Sequence, residues 1–371
     1  MAAMPPRASA TIAIDAWRDL EALRRRLREG LAIPAHPLAL DAARRYDARR
    51  QRALTRYYLD AGAGGLAVGV HTTQFAIREV GLYEPVLRDA IETARDWPRD
   101  APPPVMVAGV CGSTAQAVAE AKLAAGLGYH AGLLSLAALK GASDDALVEH
   151  CIAVSREIPL VGFYLQPAVG GLALGAAFWA RFAAIDRVVA IKVAPFNRYR
   201  TLDVVRGVVA AHAEDRVVLY TGNDDHIVLD LVTPFVAMRG GAPVTLRFRG
   251  GLLGHWSVWT KRAVELLDRC KAAAAAAEAD VAVPTELLAL DCFVTDCNAA
   301  FFDVANDFRG CIAGCHEVLR RQGLLEGTWC LDPHEGLSDG QGEEIDRVLR
   351  THGGDLGDDA FVAANLARWL R

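Results

Sequence analysis

The chain has 371 residues, 52% of them hydrophobic, and a formal charge of −5. That length and apolar content suit one large domain with an appendage better than several small domains. Arginine is plentiful but interleaved with Asp and Glu, which leaves no basic surface for nucleic acid, and no apolar run reaches the ~18 residues that cross a bilayer. Met1–Ile14 lacks the basic-then-apolar order of a signal peptide and reads as a flexible tail of a cytoplasmic protein. The eight cysteines, in a long chain without an export signal, are expected as reduced thiols.

In chain order, short apolar runs alternate with amphipathic stretches. The runs are Leu31–Ala35, Gly65–Val70, Val105–Val110, Ala131–Ser135, Leu160–Tyr164, Val188–Val193, Val217–Thr221 and Gly251–His255. Each is apolar on both faces, as parallel strands covered by helices must be. Between them, Asp41–Ala61, Tyr83–Trp97, Ser113–Gly126, Ser143–Glu157, Ala173–Ala184, Thr201–Ala213 and Val258–Ala277 carry apolar residues at helical spacing. Ser113 and Ser143 stand where a helix needs an N-cap oxygen. Eight strands alternating with helices predict a (β/α)8 TIM barrel, an architecture of ~250 residues, with an open doubly wound sheet as the alternative. The expected division is a tail over 1–14, a barrel over 15–277 and a C-terminal helical extension over 278–371. Within the extension, Asn298–Gln322, Gly340–Thr351 and Asp358–Leu370 read as helices and Asp332–Gly342 as a loop.

Only five of the 40 basic residues are lysines, and one of them, Lys192, falls inside the apolar run Val188–Val193. Burial disfavours an ammonium, and the neutral amine it leaves attacks a ketone to give an iminium, an electron sink. The plain alternative is a structural ion pair, for which Asp224–Asp225 after Gly222 are the nearby acids in sequence. Tyr164 ends the preceding strand run, where a phenol can relay protons at the same centre, although buried tyrosines commonly serve packing alone. His71-Thr72-Thr73-Gln74 follows the second run, and a turn of successive amides and hydroxyls there suits a carboxylate. An ordinary turn capped by threonine is the rival reading.

With these residues in view, the chain from roughly Ile33 to Leu267 resembles the dihydrodipicolinate synthase / N-acetylneuraminate lyase family of class I aldolase barrels. Ala190-Ile191-Lys192 resembles its Ile-Lys strand, and Tyr164-Leu165-Gln166-Pro167, followed by Gly171, its Tyr-x-x-Pro segment. The interval of 28 positions from Tyr164 to Lys192 is similar as well. His71-Thr72-Thr73-Gln74-Phe75 matches its Gly-Thr-Thr-Gly-Glu loop in part. Thr221-Gly222-Asn223-Asp224-Asp225 looks like its Ser-Gly-Asp-Asp turn, and His36-Pro37-Leu38 like its Thr-Pro-Phe. The resemblance implies that Lys192 forms the imine with a pyruvate-like keto acid, that Tyr164 shuttles the proton, and that Thr72 and Thr73 hold the carboxylate. Gly222, Asn223, His36, His71 and His255 complete the expected substrate site, no organic cofactor is implied, and a homodimer or homotetramer is expected.

Three departures accompany the resemblance. His71 and Gln74 replace the glycines of the Thr-Thr loop. Leu136–Leu139 holds no aromatic hydroxyl where the synthase has a relay tyrosine. Val169 stands where the synthase has an arginine for its second substrate's carboxylate. A lyase or dehydratase acting on another keto acid, such as a sugar acid or an aromatic-substituted pyruvate, is therefore expected.

Two other function classes have a footing in the sequence. His36, His71 and His255 fall near the ends of neighbouring strands and together suggest a metal-dependent hydrolase or aldolase. No His-x-His pair or carboxylate on the same strands supports this, and the expected metal set is none. Cys292, Cys297, Cys311 and Cys315 lack zinc-site spacing and are expected in the core. A barrel that binds a keto acid without turning it over is the remaining class. Trp256 and Trp259 are expected to pack the eighth helix of the barrel against the extension.

Overall fold

The computed structural model describes residues 14–278 and 282–371. All but one residue of the expected tail therefore lie outside the described residues. The first half of the chain runs α1 Leu20–Arg28, β1 Ala32–Pro34, α2 Ala48–Asp60, β2 Gly65–Val68, α3 Tyr83–Asp96, β3 Val105–Val110, α4 Thr114–Leu127, β4 Ala131–Leu134 and α5 Asp144–Ser155. It continues through β5 Leu160–Leu165, α6 Ala176–Ala183, β6 Val188–Ala194, α7 Arg198–Ala210, β7 Val218–Thr221, α8 Ile227–Val232, β8 Phe235–Arg239, β9 Ala242–Leu246, β10 Phe248–Leu253 and α9 Thr260–Ala277. The C-terminal helices are α10 Thr285–Phe301, α11 Cys311–Arg321, α12 Gln341–Leu356 and α13 Asp359–Trp369.

Eight strands pair in parallel in the order β1-β10-β7-β6-β5-β4-β3-β2. A bridge between Ala35 and Ala67, with the His36 amide donating to Ala67 O at 2.8 Å, joins β1 to β2 and closes the ring. The fold is a (β/α)8 barrel, and the doubly wound alternative is set aside by that closure. Ser113 and Ser143 do cap their helices, accepting from the amides of Gln116 and Ala146.

Two apolar layers share the strands. One fills the barrel with Ile33, Ala67, Val107, Leu133, Phe163, Ala190 and Tyr220, and helix α1 closes its lower end with Leu23 and Leu27. The other lies between the sheet and the helices. Trp256 and Trp259 are fully buried there, and Trp259 meets Phe301 of α10 edge-on at 5.1 Å, as expected for a joint between the barrel and the extension.

Three expectations need correction. Helix α2 starts at Ala48 rather than Asp41, because Asp47 caps it by accepting from the Arg50 amide. Phe235–Leu246 forms an unexpected antiparallel hairpin around Gly240-Gly241, signalled by its alternating burial. The predicted helix Asn298–Gln322 is two helices, because Asp303, Asp307 and Phe308 adopt left-handed backbone between α10 and α11.

Candidate active site

The register of β5 and β6 decides what faces the barrel interior. Leu160 pairs with Val188, both outward, but after an irregularity at Val189 the pairs become Val161–Ala190, Phe163–Lys192 and Tyr164–Val193. The extra residue inverts the inside–outside alternation of β6 from that point on. Lys192 is thereby turned inward, and the residue facing it across the pair is Phe163, whose ring centre lies 4.4 Å from the amine.

Lys192 lines a cavity at the C-terminal mouth of the barrel. Gly222 makes room for it: a Cβ there would stand 2.6 Å from Lys192 Cε. Burial pushes the amine well below its ordinary pKa of 10.5, and the charges of Asp224 and Cys311 restore part of that loss. Asp224 lines the same cavity, and burial raises its carboxyl above the usual range while Lys192 opposes the rise. The Asp224 Oδ1 atom is buried without a hydrogen-bond partner among the described residues. No carboxylate oxygen lies within 4.0 Å of the Lys192 amine among those residues, so Asp224 does not form an ion pair with it.

The other walls combine polar and aromatic groups. His71 lines the cavity, and burial together with Lys192 lowers its pKa to about 4, which keeps the imidazole neutral. Thr72 and Gln166 also reach the wall. Thr72 donates its hydroxyl to Ala35 O at 2.8 Å. Phe302, Phe308 and Cys311 arrive from the C-terminal segment. No arginine lines the cavity among the described residues, and Val169 does.

Several expected site residues stand elsewhere. Tyr164 shares the outward face with Val193 and packs on Trp179 at 5.0 Å. Its hydroxyl donates to Leu174 O and accepts from Leu174 N, on the helical side of the sheet, so a proton relay at Lys192 does not carry over to it. Thr73 is fully buried beneath the turn, donating to His36 O and accepting from the amides of Gly69 and Val70. Asn223 lies behind the wall, accepting from the Phe196 amide and donating to Thr201 and Asp230. His36 sits between β1 and α2, with ring nitrogens bonded to Gln51 and Thr55. His255 is stacked on Phe301 in the joint to α10.

The three histidines are thus not brought together. Among the described residues no group of three or more His, Cys, Asp or Glu side chains is placed to hold a metal ion. Of the expected residues, Lys192, His71, Thr72 and Gly222 meet at one cavity. The sequence reading missed Phe163, Gln166, Phe302, Phe308 and Cys311 as site residues. Asp224 entered it as a candidate ion-pair partner and as part of the matched turn after Gly222, but not as an expected site residue.

No family model matches the chain, and no curated protein matches it. Solved structures do. Dihydrodipicolinate synthase from Acinetobacter baumannii, complexed with pyruvate, is 18% identical over 87% of this chain and 99% of that one, with a TM-score of 0.70. The dihydrodipicolinate synthase from Oceanobacillus iheyensis is 18% identical over 91% and 100%, at 0.69. N-acetylneuraminate lyase from Fusobacterium nucleatum is 16% identical over 87% and 99%, at 0.68. At such identities the likeness establishes the shared barrel fold.

Proposed function

We propose that this protein joins Lys192 to the ketone of a pyruvate-like 2-keto acid as an imine, and makes or breaks a bond at the neighbouring carbon. One observation carries the reading: a lysine amine, held below its ordinary pKa by burial, faces a cavity with no carboxylate within 4.0 Å among the described residues. A structural ion pair would look different. The likeness to a synthase complexed with pyruvate supports the choice of keto acid.

Asp224 is the group available to move protons, since its raised pKa lets it hold one and it lines the same cavity as the amine. The neutral amine adds to the ketone, and Asp224 protonates the resulting hydroxyl, which leaves as water. The Asp224 carboxylate then takes a proton from C3 of the iminium to give the enamine. The enamine carbon attacks an aldehyde, whose oxygen takes the proton back from Asp224. Water finally hydrolyses the new iminium, freeing the amine and returning a proton to Asp224. Cleavage is the same sequence reversed. The Gln166 amide, the neutral His71 ring and the Thr72 backbone are the donors suited to the keto acid's carboxylate.

Borohydride added with pyruvate, and separately with larger 2-keto acids, tests the reading by mass spectrometry. The reduced adduct is expected on the peptide that contains Lys192 and is expected to vanish in Lys192→Ala. An adduct spread over other lysines, or none with any keto acid, overturns it.

A further inference from the structure

Four phenylalanines line the cavity: Phe163 from β5, Phe196 after β6, and Phe302 and Phe308 from the segment between α10 and α11. Phe196 and Phe308 pack against each other on the cavity wall, with ring centres 6.0 Å apart at 57°. Both rings stand on left-handed backbone, at φ +48° and +63°. Bulky residues avoid that region unless the surroundings over-determine it, and such positions cluster where a ligand is gripped.

Here the surroundings do so. The Phe196 amide donates to Asn223 Oδ1, and Asn223 is tied in turn to Thr201 and Asp230. On the other side, Asp303 accepts from Gly310 N, Asn306 Nδ2 and Ser338 Oγ, and its carbonyl accepts from the Phe308 amide. Gln341 donates to the carbonyls of Ala300, Phe301 and Gly310 and pins both ends of that segment. Two separate networks thus hold this ring pair on the cavity wall, with Phe302 beside it.

Among the described residues the wall offers no arginine, and Lys192, the cation it does present, is committed to the ketone. A second substrate that carries a carboxylate or phosphate would be buried there without a partner. Aromatic rings, by contrast, meet other rings edge-on or offset and need no charged partner.

We propose that the aldehyde joined to, or released from, the keto acid carries an uncharged planar aromatic group, which packs against Phe196, Phe302 and Phe308. This rests on the imine reading above, and the test separates the two. Turnover with pyruvate is measured for the unaltered protein against benzaldehyde, cyclohexanecarbaldehyde, glyceraldehyde and 4-oxobutanoate, beside borohydride trapping of pyruvate alone. The expected kcat/KM for benzaldehyde exceeds each of the others by about tenfold or more, the size of discrimination a shaped apolar pocket delivers.

In Phe308→Leu and Phe196→Leu the benzaldehyde-to-cyclohexanecarbaldehyde ratio is expected to fall towards one, with circular dichroism confirming the fold of each variant. Trapping at Lys192 accompanied by equal or better turnover of 4-oxobutanoate or glyceraldehyde overturns the aromatic assignment and leaves the imine intact. Trapping without turnover of any of the four aldehydes also overturns the aromatic assignment. Absence of trapping overturns both.

Discussion

Lys192 and Asp224 share a cavity, and each perturbs the other. Burial lowers the amine and raises the carboxyl, so both depart from their ordinary values towards neutrality. The nucleophile is the neutral amine, so trapping with pyruvate is expected to rise with pH and reach its half-maximum well below 10.5. The Asp224 charge pulls the amine's pKa up, and Asp224→Asn removes that pull. The half-maximum should then move to lower pH, while kcat falls by about 10²- to 10⁴-fold with loss of the proton carrier. These two changes run in opposite senses, and pH-resolved trapping beside steady-state turnover measures both. An unchanged kcat would remove Asp224 from the mechanism. Lysine scarcity and the apolar run pointed to Lys192 from the sequence. Asp224 was legible as a nearby acid in the matched turn but not as a site residue, because its distance from the amine is set by the β7 turn rather than by spacing along the chain.

At the scale of elements, one inserted residue matters most. The 28-position interval between Tyr164 and Lys192 is the offset of the Leu160–Val188 pair, and a regular ladder would have carried it on to set Tyr164 opposite Lys192. The irregularity at Val189 makes the offset one residue longer and turns Lys192 inward beside Phe163, while Tyr164 keeps its outward place. Spacing alone could not reveal this, since a bulge leaves the sequence interval untouched. A second structural joint lies at the tops of β2 and β3. Arg78 pairs with Glu120 of α4 at 2.8 Å, both side chains nearly buried, and donates to the carbonyls of Gly69 and Gly109. Arg78→Met leaves the Glu120 carboxylate without its buried partner and is expected to cost about 3–5 kcal/mol. Urea denaturation measures the loss, and adding Glu120→Leu should recover part of it. A loss no larger than a surface substitution gives would show that the pair is not the tie described.

Across the whole molecule, four buried histidines are held neutral, with His36, His130, His255 and His316 each lowered to about 4 mainly by burial. Their unfolded pKa is 6.5, so between those values the unfolded chain binds more protons. The stability they permit is fully present above about pH 6.5 and is lost as pH falls towards 4, at about 1.4 kcal/mol per pH unit of difference for each residue. Asp358, pushed up to about 6 by burial, works in the opposite direction. Comparison with His36→Gln isolates one histidine. The unfolding free-energy gap between the two proteins should be constant above about pH 6.5 and narrow below it, and a gap that stays level would refute the assignment. By itself the sequence determined the alternation of strands and helices, the eight strands of the barrel, and the strand that carries Lys192, because apolar periodicity is a local property of the chain. The tertiary structure decided which way each side chain faces, that Phe302 and Phe308 return from the C-terminal segment to the cavity, and that Asp224 lines the same cavity as the amine. Those outcomes depend on strand register and on contacts between distant segments, neither of which local pattern encodes.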